Sequence, residues 1–516
     1  MNRTLSRRQI LKGIGTGTAI LSLPGLVHGP ALAAATPGAS TAAGRPTTAF
    51  DEFGVDPGLL GRTLARGLSR GGDFCEVFLQ HKITHMIAME DGAVNRASTV
   101  VDLGAGIRVI KGDATGFAYC EELTEKALIA TAETAAAVAD GSPVATAAPF
   151  KVAPVASRYE IATPWTSVGV EKKLPLLEQT DRAARARDKR IVKVTVSLID
   201  ETSRILIANS DGLLTEDAQP YAVVSASCVA AHKGKTEMGF QSAGARDGLG
   251  FLTEALLRRV AHEAADWTVM LFDAVPPPIG EVPVVLAPGV TGILLHEAMG
   301  HGFEADFNRK GTSIYADRIG KRVAPEAVTV FDDAMVERSV GSINIDDEGT
   351  PGEKTVLVEN GILRSYMHDR ISSKHYRVKS TGSGRRQSFR FPPVPRMRNT
   401  YMASGPATPE EIIRSVQKGL YAEQFSNGQV NIGAGDFTFY LKHGRLIEGG
   451  KLTRVVKDAN LIGSGPKVLE NVKLVGSDLS MFSGGGACGK DGQSVPVGFG
   501  LPTILVGAIS VGGRSS

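Results

Sequence analysis

Gly292-Ile-Leu-Leu-His296-Glu297-Ala-Met-Gly300-His301-Gly302-Phe-Glu304-Ala-Asp306-Phe307 is the stretch around which the chain is organised. It holds two of the ten histidines, with a glutamate directly after the first. The apolar lead-in Ile293-Leu294-Leu295 predicts a buried helix that carries polar groups inward, and such groups are costly unless paired or bound to a metal. In the familiar zinc-protease helix, H-E-x-x-H, the histidines stand four apart on one face. Here the pattern is H-E-x-x-x-H. Five residues at roughly 100° each put the rings about 140° apart on a regular helix, too far to share one ion. A π-type turn, or a break after Gly300, would bring them together, and Gly300 and Gly302 make a break cheap. Spacing alone leaves a second reading open, a core helix with two hydrogen-bonded histidines.

A second segment, Gly484-Gly-Gly-Ala-Cys488-Gly-Lys490-Asp-Gly-Gln493, reads as a loop able to fold close to another group, with five glycines in nine residues. A cysteine there is poorly explained by core packing, and an idle exposed thiol would oxidise outside the cytoplasm. As a thiolate, Cys488 would complete a set with His296 and His301. Two imidazoles and one thiolate suit zinc rather than magnesium or calcium. Three protein ligands leave a fourth position, the mark of a catalytic site, where zinc brings the pKa of water towards about 7. Glu297 is then the expected general base. Glu304 and Asp306 either orient the histidines or are solvated surface acids.

The N-terminus reads as a targeting segment. Ser6-Arg7-Arg8-Gln9-Ile10-Leu11-Lys12 matches the twin-arginine pattern, a mildly apolar run from Gly13 to Val27 follows, and Ala31-Leu32-Ala33 offers a small-x-small cleavage site. The run is interrupted by Gly, Thr and Pro and is too short and weak for a stable span. A retained anchor is the alternative reading. The expectation is export through the twin-arginine (Tat) route to a periplasmic or extracytoplasmic location, with no integral span in the mature chain. Arg3, Arg7, Arg8 and Lys12 are the only charged residues in 1–33, so their removal takes the formal net charge from +3 to about −1. That leaves no basic footprint for nucleic acid. Cys75, Cys120 and Cys228 lie in strand-like apolar contexts and read as small buried hydrophobes.

With 516 residues, 42% hydrophobic, the chain is long enough for two or more domains with real cores. The organisation read from it is a signal over 1–33, a flexible leader over 34–51, an N-terminal α/β domain over 52–275 and a C-terminal domain over 276–516. The fold class is α+β, the C-terminal domain mostly β and carrying the histidine helix. Gly58–Ser69 shows helical spacing. Phe74–Gln80, Thr84–Met89, Gly106–Ile110, Gly116–Cys120, Ile191–Ile199, Arg204–Ala208 and Tyr221–Ala231 read as strands. Thr124 caps a helix to Ala139, and Leu252–Trp267 is another. His81 and His85, four apart in a strand context, read as ordinary surface or edge residues. Pro276-Pro277-Pro278 marks the boundary, and Val282–Leu286 is the strand that delivers the chain to the histidine helix. Val356–Glu359, Leu363–His368, Gln429–Ile432, Phe437–Leu441 and Leu452–Val456 read as strands, and Pro409–Leu420 as a helix capped by Thr408. No internal repeat and no P-loop motif is present.

These segments together resemble the TldD/PmbA metallopeptidase family, on its TldD side. His296 to Gly311 resembles the family's H-E-x-x-x-H segment. Asp346-Asp-Glu-Gly-Thr-Pro-Gly352, Gly384-Arg-Arg-Gln-Ser-Phe-Arg390, Pro395-Arg-Met-Arg-Asn-Thr400 and Cys488-Gly-Lys490 running to Pro496-Val-Gly498 resemble further signatures, and Gly104–Tyr119 fits the N-terminal domain. The likeness spans roughly 52–516. It implies a zinc site from His296, His301 and Cys488, with Glu297 catalytic. It also implies a dimer, with an identical or a TldE/PmbA-like subunit. Substrates would be peptides or unfolded proteins that enter a closed cavity and pair as an extended strand. The export signal departs from the better-known members.

Two classes of function remain to be separated. One is a zinc-dependent peptidase. The other is a non-catalytic binding or assembly subunit, which a fourth protein ligand would reveal. A metal-dependent amidase is a lesser option. Asp346-Asp347-Glu348 either binds a cation or is a solvated turn. Arg385, Arg386 and Arg390 either hold a peptide carboxylate or backbone, or pair with that acidic turn.

Overall fold

The structure is a computed structural model that describes residues 18–22, 49–159 and 161–513. The twin-arginine motif, the expected cleavage site and most of the leader lie outside the described residues.

The N-terminal half is α/β, built on one seven-stranded sheet. Its order is Ala114–Cys120, Ala93–Lys111, Phe74–Glu90, Ile191–Asn209 and Leu213–His232, with Lys151–Val152 and Lys235–Ala245 both pairing with the last. Two separate cores pack against it, one under helices Pro57–Leu68 and Glu125–Ala136, the other under Val170–Arg187 and Glu254–Met270. The strands are longer than the hydrophobic alternation indicates: Phe74–Glu90 and Ile191–Asn209 are continuous where two short strands each were expected. Polar residues interrupt the pattern mid-strand, but cross-strand partners satisfy them. Thr84 donates to Glu201 at 3.1 Å, and His85 meets Asp200 at 3.0 Å. His81 meets Glu52 at 2.6 Å, so both histidines are half-buried and carboxylate-paired rather than idle. Helix Val170–Arg187 left no clear sequence signal because Pro175 lies inside it and its buried face includes Lys173, Thr180 and Asp181.

The C-terminal half is mostly β. Strands Asp436–Glu448, Lys451–Ser464, Ile504–Gly513, Gly280–Leu286 and Lys418–Asn431 pair in that order, and the last pairs back on the first, so these five close into a ring. A six-stranded sheet stands beside it, including Val330–Asp333, Asn399–Met402 and Gly498–Leu501. One large apolar core runs between the two, from Val284 and Leu286 to Val506 and Val511. The helix expected over 409–420 ends at Arg414, after a capping box between Thr408 and Glu411. Leu420 is drawn instead into the ring, opposite Val284 and Leu446, where it is fully buried.

Buried charge ties the halves together. Arg108, on the N-terminal sheet, donates to Glu76 at 2.7 Å and to Glu348 at 2.6 Å, and all three are buried. Arg386 donates to Glu76 at 2.5 Å and to the Asp347 carbonyl at 3.0 Å. The acidic turn is therefore not solvated: Asp346 accepts from the backbone of Gly384, Glu348 and Thr350. The arginines are likewise used internally, Arg385 on the Met397 and Pro496 carbonyls and Arg390 on Asp102 and Glu121. Breaking one partner of such a buried set leaves an uncompensated charge, a cost of roughly 3–5 kcal/mol.

Candidate metal centre

The histidine segment begins as one helical turn, Gly292–Leu295, and widens into a π-turn over His296–Gly300, where the His301 amide donates to the His296 carbonyl. The extra residue per turn swings His301 back over His296, and the ring centres lie 5.1 Å apart, edge to face. The break the spacing required is present as a π-turn. Gly300 serves close packing rather than backbone freedom: its φ is an ordinary helical −53°, and a Cβ there would run into Sδ of Met397.

Cys488 arrives from the far end of the chain in a short strand, Ala487–Lys490, not in a loop. Asp491 and Gly492, both at positive φ, form the two-residue turn of a hairpin with Gln493–Pro496. The Cys488 Sγ lies 3.2 Å from Nε2 of His301. One donor atom each from His296, His301 and Cys488 falls within 4.8 Å of the others. Among the described residues no fourth His, Cys, Asp or Glu joins this group.

The centre is shut away from solvent: His296, His301, Cys488 and Glu304 are each 0% exposed and Glu297 1%. Within it, both ring nitrogens of His296 and both carboxylate oxygens of Glu297 lack a hydrogen-bond partner. Buried polar atoms without partners are rare in folded proteins. Their convergence on one point fits a bound cation, and the nitrogen, nitrogen and sulfur donor set suits zinc.

The surrounding charges are ordered. Glu304 meets Nδ1 of His301 at 2.9 Å, which fixes the ring and turns Nε2 towards Cys488. Lys490 reaches Glu304 at 3.1 Å and Asp306 at 2.7 Å. Burial would raise the Glu304 carboxyl, but Lys490 and His301 outweigh it and hold it at about 2. Glu304 is thus an orienting carboxylate and not a surface acid, whereas Asp306 pairs with Lys490 and not with a histidine. Burial would also raise the Cys488 thiol, yet His301, Arg396 and His296 pull it well below its ordinary value. Glu297 behaves oppositely: burial, opposed by His301, raises it to about 8. It stands 4.0 Å from Nε2 of His301.

Two contributors had no assigned role in the sequence reading. Lys490 was accessible to it, since alternate residues of a strand share a face and Cys488 and Lys490 are two apart. Arg396, which donates to the Cys488 carbonyl and is fully buried, left no such signal. The other cysteines are free; Cys75 and Cys228 are buried, and burial pushes the Cys228 thiol up to about 12.

Models of the three PmbA/TldA metallopeptidase domains match residues 75–139 (domain 1), 163–272 (central) and 279–513 (C-terminal). The chain belongs to the TldD/PmbA family. A metalloprotease TldD homolog from Haemophilus influenzae is 40% identical over 454 residues, covering 86% of this chain and 94% of that protein. A zinc metalloprotease TldD homolog from Saccharolobus solfataricus is 36% identical over 238 residues, 46% of this chain and 53% of its own length. Among solved structures, TldE from Thermococcus kodakarensis superposes with a TM-score of 0.69 at 19% identity, covering 88% of this chain and 99% of that one. A Thermotoga maritima protein described as a modulator of DNA gyrase gives 0.70 at 21%, over 90% and 100%. At these identities the likeness shows the fold alone. This TldD/PmbA member therefore combines a shared fold with metalloprotease-named relatives and a converging donor set of its own.

Proposed function

We propose that the protein is a zinc-dependent peptidase acting on unfolded or short peptides, exported by the twin-arginine route and paired with an identical or TldE/PmbA-like subunit. The observation that carries this reading is the convergence of unpartnered His296 and Glu297 with His301 and Cys488 at a buried point. The same set, with no fourth protein donor among the described residues, favours a catalytic over a purely structural metal.

When bound, zinc supplies Lewis acidity that polarises a carbonyl and acidifies water. His296 and His301 present ring nitrogens, and Cys488 its thiolate. Glu304 keeps the His301 ring from turning. Glu297, raised to about 8 by burial, is a carboxyl that holds or releases a proton near neutral pH. A neighbouring cation favours its charged form, from which it takes a proton from water and passes it to the leaving amine. Burial of these groups strengthens each of these interactions.

Export rests on the Ser6–Lys12 pattern, the mildly apolar run from Gly13 to Val27 and the small-x-small site Ala31-Leu32-Ala33. Among the described residues no helix is long and apolar enough to cross a membrane. The direct test incubates the exported, processed protein with an unstructured peptide mixture as isolated, after chelation, and after zinc return. Cleavage that disappears with chelation and returns with zinc is the expected result. Metal bound without cleavage of any peptide would favour the binding-subunit reading, and cleavage confined to non-peptide amides the amidase.

A further inference from the structure

Three buried arginines, Arg246, Arg385 and Arg396, hydrogen-bond only to neutral carbonyls. Arg246 donates to those of Val340 and Pro220 at 3.0 and 3.3 Å, Arg385 to those of Met397 and Pro496 at 2.6 and 2.8 Å, and Arg396 to that of Cys488. Nε and Nη1 of Arg396 have no partner. A cation between the histidines would engage the unpartnered acceptors of the metal centre but not these donors, which call for an oxygen. The three guanidinium groups also act on one another. Burial pulls Arg385 down to about 10, Arg246 and Arg396 press it the same way, and Asp347 and Asp332 offset only part of this. Arg246 and Arg385 line a cavity of about 50 Å³ between the N-terminal sheet and strand Gln493–Pro496. Lys82 and Arg386 line it too, against two acids, Glu201 and Asp347. Lys82 pairs with Glu201 at 3.9 Å and Arg386 with Glu76 at 2.5 Å, so the excess positive charge rests on Arg246 and Arg385. Val495, in the same wall, pairs directly with Cys488. The cavity thus borders the strand next to a candidate metal ligand.

From this arrangement we infer that the cavity is a carboxylate site for the peptide substrate, held by Arg246 and Arg385, with Arg396 extending the same positive surface to Cys488. The inference rests on the peptidase reading for calling the ligand a substrate, though not for the anion site itself. Buried charge without a counter-charge is costly, and an anion that arrives with the substrate removes that cost. The guanidinium fork matches a carboxylate with parallel N–H donors. The volume admits a carboxylate or a few waters, and waters would leave the charge uncompensated. Selection thereby falls on peptides that bring a carboxylate, at the C-terminus or on an acidic side chain, close to the bond that is cut.

The test uses the full, zinc-loaded chain and one short unstructured peptide in three forms: with a free C-terminus, as the C-terminal carboxamide, and as a carboxamide whose last residue is Glu. Calorimetric affinity and hydrolysis are both read. The free acid is expected to bind about tenfold or more tighter than the plain carboxamide. Recovery of that affinity by the Glu form assigns the site to carboxylates in general, and no recovery assigns it to the chain terminus. Arg385→Gln should erase the preference with zinc content unchanged, and Arg385→Lys should restore part of it. If Arg385→Gln fails to fold, Arg246→Gln replaces it, and the comparison of peptides on the parent chain needs no variant. Equal affinity of the parent for acid and carboxamide overturns the inference, as does a folded, zinc-loaded Arg385→Gln that keeps the preference. If no peptide is hydrolysed yet the acid binds preferentially, the carboxylate site stands and the peptidase reading falls.

Discussion

Glu304 holds His301 by its Nδ1 atom at 2.9 Å, and Lys490 in turn holds Glu304 at 3.1 Å. The chain of contacts fixes which imidazole nitrogen faces Cys488. Replacing Glu304 with Gln should weaken zinc binding about 10- to 100-fold while leaving the ligands in place. Competition against a chromogenic chelator measures this; unchanged affinity would make the contact irrelevant to the metal.

Cys488 is the one sulfur among the three candidate donors. Cys488→Ser should lower zinc content from about one per chain to near zero after dialysis, since a hydroxyl is a poor soft ligand. Elemental analysis of parent and variant decides it. Equal zinc in both would move the third ligand elsewhere.

Glu297 has no hydrogen-bond partner to lose, so its removal should spare the fold. Glu297→Gln is expected to keep zinc and the thermal midpoint while cutting kcat by about 10²- to 10⁴-fold, the range of a lost general base. Full turnover in a zinc-loaded variant would exclude the role.

Glu304 also sets a pH signature in the metal-free protein. Its carboxyl is held at about 2, against 4.5 ordinarily. A lowered acid stabilises the folded state above the unfolded value and loses that contribution as pH falls. The extra stability is thus full above pH 4.5 and fades towards pH 2, on the order of 3 kcal/mol in total. Urea unfolding of parent and Glu304→Gln at pH 7, 5 and 3 should give curves that converge on acidification. A constant gap would contradict it.

Gly300 packs so closely on Met397 that a methyl group collides with the sulfur. Gly300→Ala should therefore destabilise by about 1–3 kcal/mol, and Met397→Ala should relieve part of that cost when combined with it. Additive losses in the double variant would show that the strain lies elsewhere.

The sequence was most legible where local chemistry and local spacing coincide. The need for a break between His296 and His301 followed from angular arithmetic, and a π-turn meets it. The helix caps at Thr124 and Thr408 were equally local. What the sequence concealed was set by distant partners. His85 looks idle until Asp200 arrives on the neighbouring strand, and the acidic turn at 346–348 looks solvated until Arg108 and Arg386 meet it. The hairpin carrying Cys488 was visible as Asp491-Gly492, but the density of glycines drew attention to a loop. Arg396 lies in the Pro395–Thr400 signature, but neither periodicity nor spacing ties it to Cys488, and its place there came from the fold.

Because the candidate donors stand at 296, 301 and 488, the site joins segments 187 residues apart in the chain. On the ribosome the two histidines emerge long before the sulfur. Until Cys488 has emerged and its hairpin has folded back, a nascent chain offers two of the three donors. A product truncated before residue 488 therefore lacks the complete set, and metal loading separates such fragments from chains that reach it.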